Sequence, residues 1–290
     1  MNTRKATLIH WGLFIILSAI WGSSFILMKE GMKHLNPYQV ASLRLLSAGL
    51  VLLPFALKGI KKFPKKDFPL VVLSGLLGTF FPAYFFCIAE TELDSGLAGI
   101  LNALTPLFTI VIGAIFFNSV LPLKKWMGVM IGFLGLVLLM ISGKQDIRFN
   151  HMNYALFIIL ATIFYGLNVN IVNRYLRHLP SLSIAAVAFS VLTIPSSIIL
   201  FFTGYFQHSI TEGFTYSTAA SSILGIFGTA IASVLFYMLM KRAGYLFASM
   251  VTYGIPFVAL FWGFLAHETI MPLQVICLLL ILAGVWMVNK

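Results

Sequence analysis

A small set of polar and aromatic side chains interrupts long apolar runs at helical spacing, and these are the residues of the chain best suited to handling a solute. Trp21 and Ser24 lie three residues apart, hence on one helix face, and Tyr165 and Asn168 repeat that spacing. Tyr84 and Tyr237 sit within two other apolar stretches, 9 and 12 residues beyond Gly75 and Gly225. Asn102 with Thr105, and Thr252 with Tyr253, stand just ahead of Pro106 and Pro256. A proline lacks the amide donor and frees the carbonyl four residues earlier, so Pro106 and Pro256 are expected to be kinks or hinges that expose the carbonyls of Asn102 and Thr252; a kink that only shapes packing is the alternative. Trp21, Ser24, Tyr84, Asn102, Tyr165, Asn168, Tyr237 and Tyr253 are therefore the expected lining of a central cavity that binds by hydrogen bonds and aromatic contact.

Covalent chemistry is not expected. His10, His34, His151, His178, His208 and His267 are scattered near the ends of apolar stretches, and no acid pair or Ser/His arrangement is visible. Cys87 and Cys277 lie inside apolar runs without metal spacing and read as packing residues. No catalytic residue, metal or cofactor is expected, and a membrane-embedded enzyme is the remote reading. Arg44 is the one charge well inside an apolar stretch. An arginine at the centre of a bilayer costs about 2.5 to 3.5 kcal/mol on insertion scales. Its expected role is a clamp to Glu90, Glu92 or Asp94, with direct contact to an anionic solute group as the alternative. The absence of a mid-stretch Asp or Glu makes a uniporter or weakly coupled carrier at least as good an expectation as a proton-driven one.

The elements that must position these residues are membrane helices. Hydrophobic residues make up 60% of the chain and charged residues 9%, with a mean hydropathy of +0.99, which a soluble chain could not carry without exposing large apolar patches. Ten stretches of spanning length run near 8–28, 37–57, 68–89, 95–117, 123–142, 152–173, 181–204, 217–240, 246–266 and 270–288. The net charge of +11 follows topology rather than a nucleic-acid surface. With a cytoplasmic N-terminus, 14 of the 19 basic residues fall in inside segments, so both termini are expected inside.

The chain also repeats itself. Gly75, Gly78, Thr79, Pro106 and Pro122 recur as Gly225, Gly228, Thr229, Pro256 and Pro272 at a constant offset of 150, while Trp21-Gly22 matches Tyr165-Gly166 at an offset of 144. Residues 1–143 and 152–290 are thus expected to be two five-helix units. An odd number of spans per unit inverts the second copy, the architecture of carriers that rock about a midplane site. Small-residue pairs such as Gly128 with Gly132 are expected to pack helices within one chain, giving a monomer, with a homodimer as the alternative. The fifth and tenth helices, poorest in polar residues, are expected at the periphery.

Trp21-Gly22-Ser23-Ser24-Phe25, Pro37 through Arg44-Leu45, Leu104-Thr105-Pro106 and the series Gly128, Gly132, Gly135 together resemble the EamA family, the ten-helix branch of the drug/metabolite transporter superfamily. The resemblance covers nearly the whole chain in two copies. The second copy closes with Pro256, Glu268 and Gly284, whereas the first has Asn118 where the family places an acid. What the resemblance implies is a multi-pass permease of a bacterial cytoplasmic membrane that exports small metabolites, amino acids or drugs. A nucleotide-sugar or lipid-linked-sugar carrier of the same superfamily is the nearer alternative. Such substrates call for several basic residues at the cavity, and Arg44 stands alone, which favours a small neutral, zwitterionic or aromatic solute.

Overall fold

The computed structural model describes residues 3–59, 63–93, 95–142, 152–258 and 272–289. Regular structure in these residues is entirely helical. In chain order the helices are α1 (Thr3–Gly31), α2 (Pro37–Gly59), α3 (Lys65–Ala89), α4 (Ser95–Asn102), α5 (Thr105–Phe117) and α6 (Leu123–Ser142). They are followed by α7 (Met152–Tyr175), α8 (Ser181–Phe202), α9 (Glu212–Ala243), α10 (Tyr245–Val258) and α11 (Pro272–Asn289). Among the described residues, six of these, α1, α2, α3, α7, α8 and α9, are long and apolar enough to cross a bilayer. A helix satisfies its own backbone, which lipid cannot do. The chain is an all-α, multi-pass membrane protein.

The remaining four expected stretches take other forms. The fourth is divided into α4 and α5 at Ala103 and Leu104, the fifth is α6, and the tenth is α11. The ninth is α10, followed as far as Val258. Asp94, Glu268 and the charged run Lys144, Asp146 and Arg148 lie outside the described residues.

Local chemistry explains several boundaries. Asn36 and Gln39 form a reciprocal cap ahead of α2: Asn36 Oδ1 accepts the Gln39 N–H at 2.9 Å, and Gln39 Oε1 accepts the Asn36 N–H at 3.0 Å. Asn118 ends α5 in the left-handed region with φ 49°, a conformation in which asparagine is the usual substitute for glycine. The residue that departs from the family pattern is therefore a helix stop.

The repeated glycine-threonine segments are not ordinary helix. Leu76–Phe80 in α3 and Leu224–Ile231 in α9 are π-helical turns, so Gly78-Thr79 and Gly228-Thr229 both sit where the helix widens. Packing around them is reciprocal. A Cβ on Gly78 would collide with the Asn168 amide, and one on Gly228 would lie 2.7 Å from Ser24 Oγ. Gly22 abuts Val258, and Gly166 abuts the backbone of Phe108 and Thr109. Gly75 abuts Ala188 on α8, while Gly225 meets the Arg44 carbonyl and Ser47 on α2. Each of these three contacts made by a glycine of residues 1–143 has a counterpart made by its repeat mate in the later half.

Two long seams complete the packing. α2 runs along α8, where Gly49 presses on Thr193 and Phe189, and α6 runs along α11. At the second seam a Cβ on Gly284 would sit 2.5 Å from both the Gly128 carbonyl oxygen and the Gly132 nitrogen. Backbones approach this closely because glycine removes the side chain that would hold them apart, and in lipid such packing supplies much of the association. Gly128 and Gly132 are thus used within the chain.

Candidate functional site

A cavity of about 100 Å³ lies at the centre of these reciprocal contacts. α1 contributes Trp21, Ser24, Phe25 and Met28, whose spacing of i, i+3, i+4 and i+7 is a single helix face. α7 contributes Tyr165, Asn168 and Val169 from the matching face. The π turns supply Gly78 and Thr79 from α3, and Gly228 and Thr229 from α9. Farther along these helices Phe86, Ser233, Phe236 and Tyr237 close the walls. Asn102 and Thr105 enter at the break between α4 and α5, Ser249, Thr252 and Ile255 from α10, and Arg44 from α2. Among the described residues none of α6 or α11 lines the cavity.

The polar lining is held in place by bonds between helices. Trp21 Nε1 donates to the Gly228 carbonyl at 3.1 Å, joining α1 to the π turn of α9. Ser74 Oγ donates to Asn168 Oδ1 at 2.7 Å and lies 3.4 Å from Tyr237 Oη, so α3, α7 and α9 share one network. Asn168 thereby finds the partner that a midspan amide requires. Thr105 Oγ1 donates to the Asn102 carbonyl at 2.7 Å, satisfying an acceptor released at the helix break. Around this polar belt the walls are aromatic: Trp21 and Phe236 have centroids 5.3 Å apart, and Phe86 stacks near Tyr165 at 6.2 Å.

Of the eight cavity residues expected from the sequence, Trp21, Ser24, Asn102, Tyr165, Asn168 and Tyr237 are brought together and Tyr84 and Tyr253 are not. Tyr84 turns toward α2, where its Oη is 2.8 Å from Ser42 Oγ. Tyr253 packs its ring against Gly132 and donates from Oη to the Val129 carbonyl at 3.2 Å, on the side of α6. Its neighbour Thr252 faces the cavity instead. Pro106 and Pro256 stay off the wall; Pro106 lies in the first turn of α5, where a proline costs no hydrogen bond, and the helix breaks ahead of it. Pro256 follows the tightened 3₁₀ stretch Met250–Gly254.

Arg44 lines the cavity, but its expected clamp to Glu90 is not formed. Arg44 Nε donates to Thr229 Oγ1 at 2.6 Å, because Gly225 lets α9 press directly on the backbone of Arg44. Glu90, one residue beyond the Lys65–Ala89 helix, is buried, with Oε2 3.4 Å from Ser95 Oγ and Oε1 without a hydrogen-bond partner among the described residues. Burial pushes its carboxyl up to about 8, against the opposing pull of Lys29, Ser95 and Arg44.

Phe25, Met28, Phe86, Phe236 and the threonines of the π turns were not singled out as lining by the sequence. A signal existed for several of them. Phe25 and Met28 extend the Trp21–Ser24 face by one turn, and Thr79 and Thr229 are themselves part of the 150-residue repeat. At the opposite ends of the helices, His178 Nε2 meets Asp67 Oδ2 at 2.8 Å, and Lys241 Nζ bonds to the Leu179 carbonyl. These polar ties join the start of α3 and the end of α9 to the segment between α7 and α8.

A multi-pass helical protein whose helices surround a central cavity, mixed polar and aromatic, belongs to the architectural class of membrane carriers. The EamA-like transporter family matches residues 10–141 and 152–290, and the chain belongs to that family. An uncharacterised transporter of Bacillus subtilis is 30% identical over 163 residues, which are 56% of this chain and 53% of that protein. The chain thus spans about half the length of that relative. A Salmonella typhimurium protein named "Probable amino-acid metabolite efflux pump" is 25% identical over 77% of this chain and 71% of its own length. The fold matches a crystal structure at a TM-score of 0.72 with 18% identity, over 98% of this chain and 96% of that one.

Proposed function

We propose that the chain is a secondary active or facilitative carrier that exports small metabolites, amino acids or drugs across a bacterial cytoplasmic membrane by alternating access. Its ten spans would form two inverted five-helix halves, with both termini cytoplasmic and the two halves rocking about the central cavity as a monomer. Supporting this topology is the pattern of reciprocal contacts: Gly22 with Val258 answers Gly166 with Phe108, and Gly78 with Asn168 answers Gly228 with Ser24. Such exchange of equivalent partners is what a two-fold relation between the halves produces. The observation that carries the functional reading is the cavity itself, which draws its walls from α1, α3 and α4–α5 and from α7, α9 and α10, with Arg44 added from α2. A site shared between repeats is the place from which alternating access operates. The ties through Asp67–His178 and Lys241–Leu179 are of the kind that opening one side would have to break.

Counterflow in proteoliposomes against a panel of amino acids, nucleosides and cationic drugs, with and without a pH gradient, tests the proposal. Exchange of at least one panel member, abolished when Asn168→Ala removes the α3–α7–α9 network, is the expected result. No exchange from the panel together with flipping of a lipid-linked sugar would overturn it.

A further inference from the structure

We propose that Arg44 is an anion anchor and that the solute fitted to this cavity is a small aromatic monocarboxylate. The inference rests on the carrier reading and names the substrate class for the same site. Arg44 has five N–H donors, and protein groups occupy them poorly. Nε donates to Thr229 Oγ1 at 2.6 Å, while Nη1 meets, among the described residues, the Met28 thioether at 3.9 Å, a weak acceptor. Among the described residues no carboxylate pairs with Arg44; Glu90 turns its Oε2 toward Ser95 instead. A guanidinium is charged at every physiological pH, and the half-buried Arg44 is poised to be matched by a ligand that supplies a counter-charge. The Nε–Thr229 bond fixes the guanidinium plane and leaves its Nη edge free to hold two carboxylate oxygens side by side.

The rest of the lining limits what accompanies the anion. Among the described residues Arg44 is its one formally charged residue, and none of them brings an Asp or Glu to receive an ammonium group. Flat aromatic faces surround the space: Trp21 beside Phe236, and Phe86 between Phe25 at 6.1 Å and Tyr165 at 6.2 Å. These faces suit a ring by offset or edge contact. The cavity volume of about 100 Å³ is smaller than the roughly 150 Å³ that admits one benzene ring, so solutes of more than one ring are excluded and a single ring enters only as the walls give.

Benzoate, benzyl alcohol and benzylamine share that ring and differ in charge, so they isolate the anchor. Equilibrium dialysis of each radiolabelled probe against the purified full chain in detergent should find benzoate bound about tenfold or more tighter than benzyl alcohol, with benzylamine weakest. Arg44→Gln should lose about tenfold or more for benzoate and leave benzyl alcohol within about twofold, and Arg44→Lys should recover part of the loss. Equal binding of the three probes, a preference for benzylamine, or full benzoate affinity in Arg44→Gln would overturn the anchor. If Arg44→Gln does not fold, the charge series on the unaltered chain decides alone. Proteoliposome flux separates the two readings. Benzoate bound while neither it nor any panel member is carried supports the anchor and sinks the carrier, whereas flux indifferent to probe charge retains the carrier and sinks the anchor.

Discussion

Glu90 shows how far one residue can depart from its expected partner. Its position on the same side as Arg44 suggested a clamp, yet the packing of Gly225 on α2 gives Arg44 to Thr229 and leaves Glu90 Oε1 in a buried site without a hydrogen-bond partner among the described residues. Coulomb attraction along the sequence's expected topology could not reveal this, because the competing acceptor lies 185 residues away. The consequence is a pH dependence of stability with a definite sign. A carboxyl near 4.5 when unfolded and raised to about 8 when folded keeps its proton in the folded state across that window. The folded state then binds more protons than the unfolded one at this site, so the contribution of Glu90 to stability is most favourable below 4.5 and declines as pH rises to about 8. Glu90→Gln carries a permanent neutral group and removes this contribution. Thermal midpoints in detergent should therefore fall between pH 5.5 and 8.5 in the unaltered chain and fall less steeply in Glu90→Gln; identical slopes would refute the assignment.

At the scale of elements, the π turns account for both what the sequence predicted and what it missed. Trp21–Ser24 and Tyr165–Asn168 lie on regular stretches of α1 and α7, where three-residue spacing identifies a face, and all four reach the cavity. Tyr84 and Tyr237 lie beyond widened turns of different length, five residues in α3 and eight in α9, so helical phase carried across them is lost. Their unequal distances from Gly75 and Gly225 already made them non-equivalent, and one faces the cavity while the other bonds to Ser42. Tyr253 escaped for a related reason: the 3₁₀ stretch Met250–Gly254 turns Thr252 inward and Tyr253 toward α6. The α6–α11 seam offers a test that depends on close backbone approach alone. Gly284→Ala places a methyl group 2.5 Å from the Gly128 carbonyl oxygen, backbone that cannot swing aside, and should cost about 1 to 3 kcal/mol. Gly12→Ala, with nothing within 4 Å of the added carbon, is the matched control. Gly284→Ala should lower the thermal midpoint in detergent by several degrees relative to Gly12→Ala, and equal midpoints would show slack in the seam.

For the whole molecule, the most legible feature in the sequence was the repeat, since glycines and threonines kept at one offset mark the positions where one half meets the other. What the repeat left unread was the identity of the partners across the contact, which only the reciprocal pairs Gly22–Val258 and Gly166–Phe108 reveal. Inversion makes a prediction that a parallel duplication does not. Lys66, in the first turn of α3, and Gln207, between α8 and α9, stand at corresponding ends of the second-to-third connection of each repeat, and both are exposed. An inverted pair puts these two residues on opposite sides of the membrane; a parallel pair puts them on the same side. Thr91 and Arg177, also exposed, extend the test to the segments after α3 and α7. Cys87 and Cys277 are buried, so single cysteines can be introduced at the four positions over a low background. In intact cells a membrane-impermeant maleimide should label Thr91→Cys and Gln207→Cys, and should reach Lys66→Cys and Arg177→Cys only after permeabilisation. Labelling of Lys66→Cys and Gln207→Cys from the same side would exclude inversion, and with it the rocking of two oppositely oriented halves about the cavity.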